Sequence, residues 1–427
     1  MINLYQHQRD ALDQTKDKSR VAYYHDMGLG KTFTGSEKLM QLDFRVNLII
    51  CQKSKVEDWC DHFDLYRDMY HNNNLVYDLT NKNALASFMD VVSDHGYTQR
   101  IIGVINYELA WRRRELLQLK NFTLLLDESS LIQNENAKRS NFILKLRPMN
   151  VILLSGTPTG GKYELLWSQM QLLGWNISKK MFWNQYVDFH YEDVNGFPLQ
   201  VIDGYKNEDR LKRKMRDHGC HFLKTDEVMT LPDQIDQTIR IKASDDYKQF
   251  RKDRIITVDG EELVGDTTLT RMLYERELCG QYNKDKLDAF VDLIESTSDR
   301  LIVFYNFYAE LEVLCKAAWS HGIPVSVVNG KQKDLLPYEN VDNSITFIQY
   351  QAGAMGLNLQ KANKIIYFTP PLSSELFEQS KKRIHRIGQS RPCFYYYLTV
   401  SKSIEEKIYE VLKMRKDYTD ALFESEL

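Results

Sequence analysis

The sequence contains no apolar run approaching the length of a membrane span and no N-terminal leader pattern, so neither a spanning nor a secreted chain is expected. Its six cysteines, at positions 51, 60, 220, 279, 315 and 393, include no Cys-x-x-Cys pair. That scatter argues against a zinc ribbon and for thiols kept in a reducing compartment. His218, Cys220 and His221 sit close together, but no second set of ligands follows, and a helix surface is the expected setting. An excess of one charge is also missing. The 56 lysines and arginines face 59 acidic residues, a net charge of −3, which removes any global sign of a polyanionic partner. Such a partner has to meet a local basic patch, and residues 112–114, 206–216 and 381–391 are the candidates.

What is present is length and apolar rhythm. A chain of 427 residues, 43% of them hydrophobic, is large enough for two domains with separate cores. Its most informative stretch is His25-Asp26-Met27-Gly28-Leu29-Gly30-Lys31-Thr32, between the apolar run Val21-Ala22-Tyr23-Tyr24 and a helical pattern over residues 33–42. A strand turning tightly into a helix aims backbone N–H groups and the positive helix end at one spot, which suits a phosphate. Gly28 and Gly30 let the backbone approach the anion, Lys31 can reach the β- and γ-phosphates, and Thr32 offers a hydroxyl to Mg²⁺. The P-loop pattern has a further glycine where His25 stands.

Apolar runs of the kind found in buried parallel strands follow at Leu48-Ile49-Ile50-Cys51, Ile101-Ile102-Gly103-Val104-Ile105, Phe122-Thr123-Leu124-Leu125-Leu126 and Val151-Ile152-Leu153-Leu154. In open α/β sheets the ligand site lies beyond the carboxyl ends of such strands. Asp127-Glu128 and Ser155-Gly156-Thr157-Pro158 stand there. Asp127 can hold Mg²⁺ through water, and Glu128 can orient or deprotonate an attacking water. Near the start, Gln8 lies in an amphipathic helical pattern, and its amide can both donate to and accept from an adenine edge. Residues 160–223 lose the strand runs and read as a helical insertion whose aromatic stripe belongs to the core.

The polar stretch from Leu231-Pro232 to Asp246 reads as a crossover, followed by a helical region to about residue 298 with a Gly-rich, acidic turn around Val258 to Asp266. Five more strand runs begin at Leu301, Val325, Ile345, Lys364 and Phe394, without a second Gly-Lys-Thr. Two features mark this half. Ala352-Gly353-Ala354-Met355-Gly356-Leu357-Asn358-Leu359 is a glycine-rich loop after a strand. Arg383 and Arg386, three apart, are expected on one helix face, where two guanidinium forks can meet a γ-phosphate.

Taken in order, Gln8, residues 26–32, Asp127-Glu128, and residues 155–158, 352–359 and 379–389 resemble the motifs of the superfamily 2 helicases. The ending His385-Arg386-Ile387-Gly388-Gln389 resembles the Swi/Snf branch, as do Trp59, Ile105-Asn106-Tyr107-Glu108, Leu231-Pro232 and Ile404-Glu405-Glu406-Lys407-Ile408. The resemblance implies an α/β fold of two RecA-like lobes, each a parallel sheet flanked by helices. The expected N-terminal ATP-binding lobe is residues 1–232, with the insertion at about 160–223. The C-terminal lobe is residues 233–427, with a helical segment at about 243–298. It also implies ATP and Mg²⁺ as cofactors at the cleft, double-stranded DNA across both lobes, and translocation without true unwinding.

Position by position, the resemblance gives Gln8 to adenine and Asp26, Met27, Gly28, Leu29, Gly30, Lys31 and Thr32 to the phosphates. Asp127, with Thr32, goes to Mg²⁺, Glu128 to water, and Arg383 and Arg386 to the γ-phosphate. Ser155 and Thr157 would couple nucleotide to the interlobe contact, and Gly356 and Asn358 would link DNA to ATP. The departures are Ser129-Ser130 in place of a histidine, Gln52 in place of a proline, and Gln349 and Gln351 in place of a hydroxyl residue and a lysine. The near-minimal length suggests a compact bacterial or viral motor. It is expected to act as a cytoplasmic monomer in a bacterium or virus-infected host cell, with branched or single-stranded DNA as secondary partners and no membrane. Annealing, fork remodelling or true strand separation of DNA or RNA are the alternative activities, and a slow nucleotide-gated binding module is the alternative class.

Overall fold

The computed structural model describes residues 3–70, 74–94, 96–194, 197–353 and 357–423. The chain divides into two compact units, Met1–Met229 with Tyr418–Leu427, and Thr230–Asp417.

The first unit is built on seven strands: β1 (Arg20–His25), β2 (Val46–Cys51), β3 (Leu75–Asp78), β4 (Ile101–Asn106), β5 (Phe122–Asp127), β6 (Asn150–Ser155) and, later in the chain, Cys220–Leu223. They lie in the order β3, β4, β2, β5, β6, β1 and the late strand, all parallel. Alternation along β1 explains its unbroken apolar run. Val21 and Tyr23 face one layer, with Leu12, Leu39, Trp59 and Phe63. Ala22 and Tyr24 face the other, with Phe142, Tyr163, Leu166 and Met170. A strand covered on both sides has no polar face to show, which is why the sequence pattern found the inner strands. Three helices cover the first of these layers: α1 (Gln6–Gln14), α2 (Lys31–Leu42) and α3 (Val56–Tyr70).

Residues 160–223 are not a purely helical insertion. Short helices give way to an antiparallel pair, β7 (Val187–Val194) and β8 (Phe197–Tyr205), and the segment ends in the late edge strand, β9 (Cys220–Leu223). Cys220 and His221 are therefore strand residues rather than a helix surface, and His218 stacks on Trp175 with ring centroids 5.6 Å apart. No cluster of three or more His, Cys, Asp or Glu able to hold a metal occurs among the described residues. The aromatic stripe is core as expected, with Phe182 and Tyr186 fully buried.

In the second unit the polar stretch expected as a crossover contains β10 (Gln234–Ile241), an edge strand whose residues are mostly exposed. The segment at 243–298 carries a hairpin of β11 (Ile255–Val258) and β12 (Glu261–Val264) between its helices. Asp259 and Gly260 both take positive φ (49° and 85°) at its turn, the conformation that favours an Asp-Gly pair. The main sheet adds β13 (Leu301–Tyr305), β14 (Val325–Val328), β15 (Lys333–Asp334), β16 (Ile345–Gln349), β17 (Lys364–Tyr367) and β18 (Cys393–Val400). Its order is β10, β18, β17, β13, β16, β14, β15, parallel except for the β14–β15 pair. Among the described residues no helix is long and apolar enough to cross a membrane.

The motif around Ile404 has a structural use here. Glu405 Oε1 and Lys286 Nζ are 2.6 Å apart, both side chains essentially without exposure. The ammonium also lies 5.2 Å from the Phe368 ring centroid, and Glu405 Oε2 accepts the Val400 N–H at 2.9 Å. Removing one partner of such a pair strands a buried charge. Lys286→Met is expected to lower the unfolding free energy by about 3–5 kcal/mol, and adding Glu405→Leu to recover most of that loss. Denaturant unfolding of the three proteins checks this, and a Lys286→Met variant as stable as the parent contradicts it.

Candidate active site

The first helix after β1 starts without a side-chain cap. Its N-cap is Gly30, at φ 72°, which hydrogen-bonds no first-turn N–H through a side chain. A glycine N-cap leaves room for an outside acceptor at the positive end of α2. Gly30 is required for space as well as conformation, because a Cβ there would stand 2.4 Å from Gln8 Nε2. Leu29 is buried beneath the loop, while Asp26, Met27, Gly28, Lys31 and Thr32 are half-buried. The Lys31 ammonium folds back, donating to the His25 carbonyl at 2.9 Å and the Asp26 carbonyl at 3.2 Å. An uncapped helix start with a lysine held on two carbonyls fits a phosphate chain.

Gln8 packs directly on this loop. Its Nε2 donates to the carbonyls of Gly30 (3.0 Å) and Leu29 (3.4 Å), and its Oε1 accepts the Tyr5 N–H at 2.9 Å. Recognition of adenine by Gln8 therefore requires it to exchange these partners. His7, which no motif singles out, lies with Nε2 3.0 Å from the Leu29 carbonyl.

Asp127 ends β5, two strands from β1 in the same sheet, and Glu128 follows it. Trp59 Nε1 donates to Asp127 Oδ2 at 2.9 Å, fixing the carboxylate. Burial pushes the Asp127 carboxyl above its ordinary range, while the Trp59 bond and the charges of Lys31 and Lys55 pull it back. A divalent cation there would reinforce that pull, so the donor set fits Mg²⁺. Glu128 is held at φ 52°, a left-handed conformation costly for a non-glycine residue. The Tyr107 hydroxyl supports that bend, donating to the carbonyls of Asp127 at 2.9 Å and Glu128 at 3.3 Å.

Ser129, the residue after this acidic pair, is held by a buried amide. Ser129 Oγ donates to Gln169 Oε1 at 2.8 Å, which also accepts the Tyr24 hydroxyl at 2.9 Å. Gln169 Nε2 then donates to the Pro158 carbonyl at 2.8 Å. Ser129 thus ties the β5 end to the loop after β6 through one buried amide. Within that loop, Gly156 lies over Lys31, and a Cβ there would come 3.3 Å from Nζ and 3.1 Å from Met27 Cγ. Ser155 Oγ accepts the Thr157 N–H, and the Thr157 hydroxyl is buried with no partner among the described residues. Gln52 adopts φ −69°, a value proline shares, so that turn keeps its shape.

The second unit alters one expectation. Arg383 and Arg386 do not share a helix face, because the helix Ser374–Lys381 ends before them. The Arg383 carbonyl accepts the Leu359 N–H at 3.2 Å instead of continuing the helix. Gln389 Nε2 donates to the carbonyls of Ala362 (2.9 Å), Gln360 and Ile384, closing the turn. Arg383 is buried, with Nη1 3.5 Å from the Leu357 carbonyl, and Arg386 is half-buried. Gly356 lies outside the described residues, and Asn358 is exposed. Gln349 Nε2 donates to the Asn306 carbonyl at 3.1 Å, within its own unit.

His62 links α3 to α2, its Nε2 2.9 Å from Ser36 Oγ. Burial holds its imidazole down to about 4, whereas in an unfolded chain it titrates near ~6.5. As pH falls through that window the unfolded chain gains a proton that the folded chain refuses. This stabilising contribution is therefore complete above about 6.5 and is lost toward about 4. In thermal melts, His62→Phe is expected to flatten the loss of stability on acidification across this window. Parallel curves for variant and parent contradict it.

Comparison with known proteins adds the family. The SNF2-related domain model matches residues 15–284, and the helicase conserved C-terminal domain model matches residues 285–388. The Bacillus subtilis (strain 168) protein YwqA, described as an ATP-dependent helicase/translocase, is 26% identical over 71% of this chain and 36% of its own length. The mouse SWI/SNF-related matrix-associated actin-dependent regulator of chromatin subfamily A member 1 is 22% identical over 92% of this chain and 40% of its own. The chain thus spans well under half of either relative. The solved Sulfolobus solfataricus SWI2/SNF2 ATPase core, in complex with dsDNA, aligns with a TM-score of 0.44 at 18% identity, over 98% of this chain and 92% of that one. With the domain model covering more than half of its residues, the chain belongs to the SNF2-related family, the Swi/Snf-like branch of the superfamily 2 helicases.

Proposed function

We propose that the chain is a DNA-stimulated ATPase that uses hydrolysis to move along duplex DNA or to displace what is bound there. The observation that carries this reading is the uncapped start of α2 with Lys31, in the same sheet as the Asp127-Glu128 strand end. On this reading the N–H groups of residues 28–32 bind the phosphates, and the Lys31 ammonium exchanges its two carbonyls for phosphate oxygens. Thr32 and Asp127 would hold Mg²⁺, which would supply neutralising charge to those oxygens. Glu128, braced by Tyr107, orients the attacking water and takes its proton. Arg383 and Arg386 add positive charge at the γ-phosphate, a contribution on the order of 10³–10⁵ in rate where such residues act.

Membership of the family supports the choice of duplex DNA. With a net charge of −3, DNA has to be held by local patches, so its affinity should fall with salt. Residues 112–114, 206–216 and 381–391 remain the candidate patches.

Hydrolysis should rise with duplex DNA more than with single strands or RNA. Lys31→Ala should abolish it, and Arg386→Ala should lower turnover far more than ATP affinity. A steady-state ATPase assay with each nucleic acid reads all three. Stimulation equal for every nucleic acid would sink the duplex assignment, and full turnover in Arg386→Ala would sink the arginine role. Strand displacement or annealing by the parent would move the function to strand separation or fork remodelling.

A further inference from the structure

The last segment of the first unit grips the root of the phosphate loop. β9 pairs with β1 from Ala22↔Cys220 to His25↔Leu223. Past the ladder, the Asp26 N–H donates to the Leu223 carbonyl at 2.9 Å. Thr225 then donates twice to Asp26 Oδ2, from its backbone N–H at 3.1 Å and its hydroxyl at 3.0 Å. One residue back, His25 Nε2 and His221 Nδ1 lie 2.9 Å apart. His25 is fully buried, and its Nδ1 has no partner among the described residues. Burial keeps both imidazoles neutral at ordinary pH, assisted at His25 by the charges of its neighbours, and Asp10 opposes the shift only at His221.

The two residues held in this way, His25 and Asp26, are the ones whose carbonyls receive the Lys31 ammonium. Bonds to a carboxylate are the stronger class of hydrogen bond, and Asp26 Oδ2 accepts two from one residue. The orientation of the Asp26 backbone, and so of the carbonyl that holds Lys31, depends on that grip. Thr225 is buried, and the first unit's main segment ends four residues later, at Met229.

We infer that Thr225 is a positioning residue for the phosphate loop: by clamping Asp26, it keeps the carbonyls that hold Lys31, and with them the ammonium, in place to meet a phosphate. The inference rests on the nucleotide-binding reading of residues 26–32. It adds a residue outside every motif found in the sequence, joined to the loop across nearly the whole first unit.

The test compares the full-length parent with Thr225→Val, which keeps the shape but removes the hydroxyl, and Thr225→Ser, which keeps the hydroxyl. ATP KM, kcat and the thermal midpoint are measured for each. Losing a hydrogen bond to a charged group corresponds to about a tenfold change. Thr225→Val should therefore raise ATP KM about tenfold with kcat at saturating ATP within about twofold, and Thr225→Ser should restore KM. A merely structural role would lower the thermal midpoint and the active fraction, reducing kcat and leaving KM in place. Thr225→Ala replaces Thr225→Val if the latter does not fold. A parental KM in the variants lacking the hydroxyl, or a KM raised equally in Thr225→Ser, overturns the inference. Should the parent bind a fluorescent ATP analogue without hydrolysing ATP, the ATPase reading fails. The Thr225 comparison is then read as dissociation constants. Absence of nucleotide binding overturns both.

Discussion

Helix α2 begins a five-residue loop after a buried strand, and its N-cap, Gly30, has no side chain with which to cap it. That single deficit organises the first unit. Gly30 allows the left-handed turn into α2, and Gln8 packs where any Cβ at Gly30 would have to go. Lys31 is drawn back onto the carbonyls of His25 and Asp26. The surrounding polar groups serve to keep this arrangement in place. Trp59 aims Asp127, Tyr107 supports the strained Glu128, and Gln169 joins the strand ends of β1 and β5 to the loop after β6. Removing any of them would leave the uncapped helix start intact but alter what faces it.

The inner strands of both sheets were legible because a strand buried on two faces must be apolar throughout. The edges were not. β10 is mostly exposed and so reads as polar linker, while β9 is only four residues long. The two hairpins were hidden by the helical rhythm around them: the turn at Asp259-Gly260 was legible, the short strands flanking it were not. Arg383 and Arg386 show the limit of spacing arguments. Three residues apart fits a helix face and equally fits successive turns, and here the Leu359 N–H takes the carbonyl that a continuing helix would have used.

The motif residues of the site were found because their chemistry is local: glycines, a lysine and an acidic pair at strand ends. Gln169, Gly156, His7 and Thr225 could not be found that way. Each is an ordinary residue made important by a neighbour far away in sequence, as Thr225 is by Asp26. Ser129 illustrates the same point, since its hydroxyl is tied through Gln169 to the loop after β6. In the second unit, the buried Lys286–Glu405 pair shows a motif residue whose local role is to anchor the final helix.

The proposed phosphate site lies at the start of α2, and the strand runs of the second sheet carry no second Gly-Lys-Thr. Calorimetric titration of the full chain with ATP, with and without Mg²⁺, tests it most directly. One nucleotide per chain, bound more tightly with Mg²⁺, is the expected result. Two sites per chain, or no binding under either condition, would contradict it.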